Sequence, residues 1–380
     1  MRRIVEDAIR IRLDAIPGIV GGELSGGLDS CVIDILINRM GRESRFYSWS
    51  VDPKIHPMQP NDERLIIEEI CQSEGISCGY DPGIADNYAD LLESVSPSYI
   101  NTLDIGKASA YLHAQGVRAV FTGHGGDEGV SHRCNQVELW HCGEYAAYFK
   151  EKWQETKGKK LRFLRTLKHV YHGAMKERLR LMHPWEGNAA SATMFRADFF
   201  ERMKQKVRPQ TLWFTLDPKA YVEQGGSRNR LDNVALQGAQ NGVRYLVPYL
   251  DYRVIDFAIS IPRRLYRKNG VNRWIFREAF KDIMPESLYV LNTKDTPSKN
   301  NYTPKGVFGF EECKKLLLSK LDWKFWGKYF DVISVGRCLT MPQRADERVY
   351  FQLAFTMNQL YACAMIQNVR EYSVKKTENE

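Results

Sequence analysis

The sequence predicts an α/β fold: a parallel, doubly wound sheet with helices on both faces, followed by a mostly helical region. Three observations carry this. Short apolar runs alternate with stretches of helical periodicity through the first 134 residues. Two glycine-rich turns each follow such a run, where a parallel sheet holds its ligand loops. Beyond Cys134 the strand signals fade and helical patterns dominate to the C-terminus.

Taken in order, residues 3–16 pattern as an amphipathic helix stopped by Pro17-Gly18. Ile19-Val20-Gly21-Gly22-Glu23-Leu24 reads as a short buried strand. From Leu28 the apolar positions Leu28, Cys31, Val32, Ile35, Leu36 and Met40 recur at helical spacing. Residues 45–51 form a second strand, and Pro53 to Pro60 a loop. Asn61-Asp62-Glu63 opens a helix running to Ser73. Residues 75–80 make a third strand, 105–115 a helix and 118–122 a further strand. Pro262 and Pro285 punctuate later helices, and a long helix is expected over residues 346–366.

Composition narrows the class. The 380 residues are 43% hydrophobic and 26% charged, which excludes a disordered chain. No apolar run approaches a membrane span and the N-terminus lacks a signal segment, so a cytoplasmic protein without a membrane partner is expected. Eight cysteines without paired spacing are expected to stay reduced. His132, Cys134, His141 and Cys142 lie close together but lack the knuckle spacing of a zinc site. The net charge of +8 suits a protein handling small anions and falls short of demanding nucleic acid, which is not expected as a partner. The basic run over residues 150–181 reads as a solvated helix face, with an acidic partner as the alternative.

Ser25-Gly26-Gly27-Leu28-Asp29-Ser30 sits between the first strand and its helix. Glycines let the backbone approach an oxyanion, and free N–H groups at a helix N-terminus point at it. Ser25 and Ser30 add hydroxyl donors, and Asp29 is a candidate magnesium ligand. An ordinary turn with Asp29 or Ser30 as helix cap is the plainer alternative, which the full string outweighs. No Gly-Lys-Ser/Thr follows, so this is not a Walker A loop. It resembles the pyrophosphate loop of the ATP-pyrophosphatase superfamily, whose members cleave ATP between the α- and β-phosphates.

Thr122-Gly123-His124-Gly125-Gly126-Asp127-Glu128 forms the second turn, and topology turns its tip toward the first loop. Asp127 then becomes a second carboxylate for the same magnesium. Val247-Pro248-Tyr249-Leu250-Asp251 follows, then Asn269-Gly270, Arg273-x-x-x-Arg277, Met284-Pro285 and Lys294 in Leu291-Asn292-Thr293-Lys294. This ordered series resembles the synthetase domain of the asparagine synthetase family, which includes β-lactam synthetases and lasso-peptide cyclases. The resemblance covers residues 1–300.

The resemblance implies that Leu24, Val51 and Gly123 meet the adenosine of ATP through their backbones. It implies that Ser25, Gly26, Gly27, Asp29 and Ser30 hold the pyrophosphate, with Asp29 and Asp127 on the metal. Arg273 stands where the family commonly has a phosphate-contacting lysine, and Lys294 matches a late lysine that offsets charge during adenylation. His124 replaces the Glu or Tyr that orients or deprotonates the attacking amine. It reads equally as a base and as a turn residue bonded to nearby backbone. Leu246 replaces an arginine of the family, and Asp251 reads as an N-cap for the helix from Tyr252.

No glutaminase domain fits ahead of residue 25, so ammonia is expected to come free or from a separate glutaminase or substrate-delivery protein. The organisation expected is an ATP-pyrophosphatase-like nucleotide-binding region over 1–134, a helical substrate-binding region of the same domain over 135–371, and a disordered tail over 372–380. The function expected is an asparagine synthetase-like ligase using ATP and Mg2+ to adenylate a carboxylate and join it to ammonia or an amine. Amidation of another metabolite and β-lactam or lasso-type ring closure are the alternatives within the class. A tRNA-modifying ATP pyrophosphatase is the alternative from another class.

Overall fold

The computed structural model describes residues 1–55, 57–58, 62–82, 103–134, 136–182, 194–206, 225–290, 315, 317–339, 360, 363–364 and 366–371. Contacts divide the chain into two units. One comprises Met1–Gly83, Asp104–Met182 and Gln210–Pro297, and the other Ile84–Leu103, His183–Pro209 and Ser298–Glu380.

The first unit opens with α1 (Arg2–Asp14), β1 (Val20–Glu23), α2 (Leu28–Arg39), β2 (Ser44–Val51), α3 (Glu63–Glu74) and β3 (Cys78–Asp81). It continues through α4 (Leu103–Ala114), β4 (Ala119–Phe121), α5 (Gln136–His141), α6 (Tyr145–Glu155) and α7 (Arg162–Met182). Then come α8 (Gly225–Gln240), β5 (Arg244–Leu246), α9 (Tyr252–Ser260), the hairpin β6 (Arg267–Lys268) and β7 (Val271–Asn272), and α10 (Trp274–Phe280). The strand order is β3-β2-β1-β4-β5, with every neighbouring pair parallel. From β1 the chain winds outward to β3, then returns to lay β4 on the other side of β1. The crevice at the carboxyl ends of β1 and β4 is therefore the point where the winding reverses, and such sheets take ligands there.

Burial explains the elements. Cys31, Val32, Ile33, Ile35 and Ile37 of α2 have no exposed surface, so that helix is apolar nearly all round. It shares a core with Val5 and Ile9 of α1 and Ile67 and Ile70 of α3 on one side of the sheet. Ala108, Leu112, Val117, Val120 and Val243 pack on the other side. Asp62 caps α3 by accepting from the Arg64 N–H at 2.9 Å, and Gly75 ends it with φ +64°.

Two elements depart from the expectation that strands end near Cys134. Strand β5 pairs with β4 through Arg244, Tyr245 and Leu246. Three residues are too few to show a periodicity, and a sheet edge supplies the pairing instead. The β6–β7 hairpin turns at Asn269 and Gly270, both at positive φ, the two-residue turn that an Asn-Gly pair favours. The long helix expected over 346–366 and the tail over 372–380 fall largely outside the described residues.

The second unit contains helices Ala197–Lys206, Trp323–Trp326 and Val332–Leu339. Met194, Leu317, Trp326, Phe330, Val335 and Leu360 form its core. No helix among the described residues is long and apolar enough to cross a membrane.

Candidate active site

The loop after β1 and the turn after β4 meet at the N-terminus of α2. Gly27 is the extended N-cap, so the first N–H groups of α2 lack partners within the helix and face the crevice. Gly26 turns the loop at φ +64°, and a Cβ there would lie 2.7 Å from the Glu63 carbonyl oxygen. The Ser25 and Ser30 hydroxyls lie 2.7 Å apart across the loop. On the other side, a Cβ on Gly123 would stand 2.6 Å from the Ser30 nitrogen. Only glycine allows the second turn to come this close to the helix end.

Asp29 is the hub. Its Oδ1 accepts from the Ser131 hydroxyl, its backbone oxygen from Tyr249 Oη at 3.0 Å, and its Oδ2 from Arg273 Nη1 at 2.8 Å. Arg273 Nη2 donates to Asp127 Oδ1, so one guanidinium spans both carboxylates. Arg133 Nε stands a further 3.4 Å from Asp127 Oδ1. Burial lifts the Asp29 carboxyl to about 6, the charge of Arg273 pulls it back, and Asp127 adds to the lift.

Several elements fix Arg273. It is the N-cap of α10 and holds φ +56°, an unusual backbone for a side chain of its size. The hairpin before it is anchored by buried Glu151 of α6, whose Oε2 accepts from Arg267 Nε at 3.0 Å and the Gly270 N–H at 2.9 Å. One helical turn on, Arg277 is buried and donates to the carbonyl oxygens of Asn272, Leu288 and Tyr289. It ties α10 to the segment Glu286–Val290 that follows.

The remaining expected residues fall as follows. Leu24 is buried at the mouth of the loop, its N–H donating to the Tyr47 carbonyl at 3.0 Å. The Val51 carbonyl ends β2 and accepts from Arg64 Nη1 at 2.7 Å. His124 stands in the second turn with Nε2 buried and without a hydrogen-bond partner among the described residues. Burial, with the charge of Arg230 second, lowers its imidazole to about 3, so it is neutral at pH 7. Lys294 lies outside the described residues. Asp251 caps α9 through the Arg253 N–H at 3.1 Å and pairs with Arg12 Nη1 at 3.0 Å, away from the Asp29 cluster's contacts.

Ser131 and Glu151 were not legible as part of this arrangement, since neither stands in the quoted series. Tyr249 did lie inside Val247–Asp251, but its hydrogen bond to Asp29 emerges only when β5 aligns with β4. Leu246, which ends β5, is 8% exposed and presents an apolar side chain where the family carries an arginine.

The donor set suits a magnesium ion. Asp29 and Asp127 are hard oxygen ligands, and the reach of a single guanidinium to both shows that their oxygens converge within the span of one cation. The N-terminus of α2 lies beside them.

No curated protein matches the chain. The sequence model of the family described as asparagine synthase matches residues 1–303. With the parallel sheet, the two facing glycine turns and that match in hand, the chain belongs to the asparagine synthase family, whose members are ATP-dependent ligases that form amide bonds.

Proposed function

We propose that this chain uses ATP and magnesium to adenylate a carboxylate, then passes the acyl group to ammonia or an amine. The observation that carries the reading is the convergence of Asp29 and Asp127 beside the N-terminus of α2. A carboxylate oxygen of the substrate attacks the α-phosphorus, and the bond to the oxygen bridging the β-phosphorus breaks, releasing pyrophosphate. The amine nitrogen then attacks the acyl carbonyl carbon, and the carbon–oxygen bond to AMP breaks. Asp29 and Asp127 would hold a magnesium ion, which would supply positive charge to offset that on the phosphate oxygens.

The chain's own groups divide the work. Ser25, Gly26, Gly27 and Ser30 bind the departing pyrophosphate through hydroxyls and backbone N–H groups, while Leu24, Val51 and Gly123 bound the adenosine. Arg273 holds the two metal-side carboxylates in register and stands ready to meet a phosphate oxygen. Lys294 offsets the negative charge that builds during attack on phosphorus.

ATP–pyrophosphate exchange over a panel of carboxylates, aspartate included, with and without ammonium, tests the reading. Magnesium-dependent exchange with AMP as product is expected, and accumulation of ADP would overturn it. A specialised acyl substrate, up to ring closure of a small molecule or peptide, is the second reading. The buried apolar Leu246 in place of an arginine favours it.

A further inference from the structure

The geometry points to Glu23 as the residue that receives the attacking amine and takes its proton. This deepens the ligase reading and rests on it. Glu23 is the last residue of β1, directly before Leu24 and the phosphate loop. Gly22 pairs with Phe121, so Glu23 stands alongside Thr122, two residues before His124. Phe121 pairs in turn with Leu246, which brings Tyr245 of β5 to the same face.

Around the carboxyl, the hydroxyls of Thr122 and Tyr245 favour its ionised form, and Ser109 Oγ lies 3.1 Å from Tyr245 Oη to hold that ring. Yet Oε1 is buried with no hydrogen-bond partner among the described residues. His124 Nε2, in the neighbouring turn, is in the same condition. The charge of Arg230 on α8 bears on both groups. An acceptor oxygen buried without a donor is costly, and a strand end wants an apolar residue. A buried carboxylate oxygen without a donor, beside the phosphate loop, is what a site for a donor-rich ligand presents, and a protonated amine is such a ligand. Asp34 also lacks partners, but it sits fully buried on α2 against Gly22, on the opposite face of β1.

Burial lifts the Glu23 carboxyl to about 7, with Thr122, Tyr245 and the charge of Arg230 pulling it back. The charged and titratable groups that bear on it are Arg230 from α8, Tyr245 from β5 and Asp34 from α2. A carboxylate in this range is a serviceable base near neutrality. The ammonium form gives one proton to Glu23 Oε1. The freed lone pair attacks the acyl carbonyl carbon, and the carbon–oxygen bond to AMP breaks with its electron pair on the phosphate oxygen. The proton shed by the new amide nitrogen goes to that leaving phosphate.

Exchange of pyrophosphate needs no amine, so the two half-reactions separate the possibilities. Both are followed against pH, with ammonium as nucleophile, for the full chain and for Glu23→Gln and Tyr245→Phe. Glu23→Gln is expected to lose about 100-fold in amide formation, at least about 30-fold more than in exchange, and to lose the part of the acid limb that exchange does not share. Tyr245→Phe, which removes a donor to the carboxylate, is expected to move that limb to higher pH. Equal losses in both half-reactions, or an acid limb in Glu23→Gln that stays steeper for amide formation than for exchange, would overturn the assignment. The infrared carboxyl band of Glu23, identified by difference from Glu23→Gln, is expected to titrate near neutrality and to shift with ammonium. A band unmoved by ammonium also overturns it, even if no carboxylate supports exchange. That last result, by itself, removes the ligase reading instead. Should Glu23→Gln fail to fold, the limb shift in Tyr245→Phe decides, and a limb that stays in place counts against Glu23.

Discussion

Arg273 Nη1 stands 2.8 Å from Asp29 Oδ2 while its other terminal nitrogen donates to Asp127, so residues 244 positions apart in sequence share one buried cation with the second turn. That side chain is 5% exposed and leaves from a backbone at φ +56°. Removing the guanidinium strands one mostly buried carboxylate and one that is 44% exposed. Arg273→Ala is therefore expected to cost about 3 kcal/mol in urea unfolding, below the full cost of breaking a wholly buried pair. Arg273→Gly removes the same charge but tolerates the backbone, and should be about 1 kcal/mol more stable than the alanine variant. A glycine variant no more stable than alanine would show that the backbone there is unstrained.

Magnesium binding should depend on pH with a sign set by Asp29. Burial raises this carboxyl to about 6 in the folded protein, so it is protonated below that pH and ionised above it. Affinity measured by calorimetry is expected to fall by about tenfold per pH unit on going below that point and to level off above it. Asp29→Asn should abolish binding at every pH. A binding curve flat across this window would exclude Asp29 as a ligand.

Gly123→Ala places a Cβ 2.6 Å from the Ser30 backbone nitrogen, an atom that no side-chain rotation can move. The second turn must then back away from α2. The fold should survive with a loss of about 1–3 kcal/mol, while nucleotide affinity collapses. Parallel thermal melts and ATP titrations check both halves, and undiminished ATP affinity would place the nucleotide elsewhere.

Two aspartates should pull the stability-versus-pH curve in opposite directions. Arg253 first, and Arg12 with it, hold Asp251 well below the usual carboxylate range. Its contribution is present above the unfolded value and disappears as pH falls toward the folded one. Asp34 is the reverse: burial, with the charge of Glu23 second, lifts it well above that range. Folding is unpenalised at Asp34 below the unfolded value, and stability is lost as pH climbs toward the folded one. Asp251→Ala should flatten the loss of stability on the acid side, because the contribution that disappears there is already gone, and should cost about 1 kcal/mol near neutral pH as a lost cap. Asp34→Asn should flatten the decline on the alkaline side, as read from melting temperature against pH.

Lys294→Ala is expected to retain ATP binding and lose about 100-fold or more in pyrophosphate exchange. Exchange that persists in this variant would take Lys294 out of the mechanism.

Much of the fold was legible because its signals are local. The Ser-Gly-Gly-x-Asp-Ser string, the apolar spacing from Leu28 and the run Ala119–Phe121 each declare a turn, helix or strand within a few residues. Asp251 as a cap and Gly75 as a stop follow from the same short-range chemistry. Strand β5 stayed hidden because three edge residues take their conformation from β4. Glu151 lies within the basic run over residues 150–181, where no local signal sets it apart, although it anchors the hairpin that delivers Arg273.

By itself the sequence determined the parallel sheet, the two glycine turns and their order, since backbone geometry and hydrophobic period are written residue by residue. It also named Asp29, Asp127 and Arg273. Only the tertiary structure decided that one guanidinium joins both carboxylates, and that Glu23 Oε1 and His124 Nε2 are buried without a hydrogen-bond partner among the described residues. Those facts depend on which strands lie side by side and on how much water is excluded between them. Both are properties of the packed chain that no local stretch encodes.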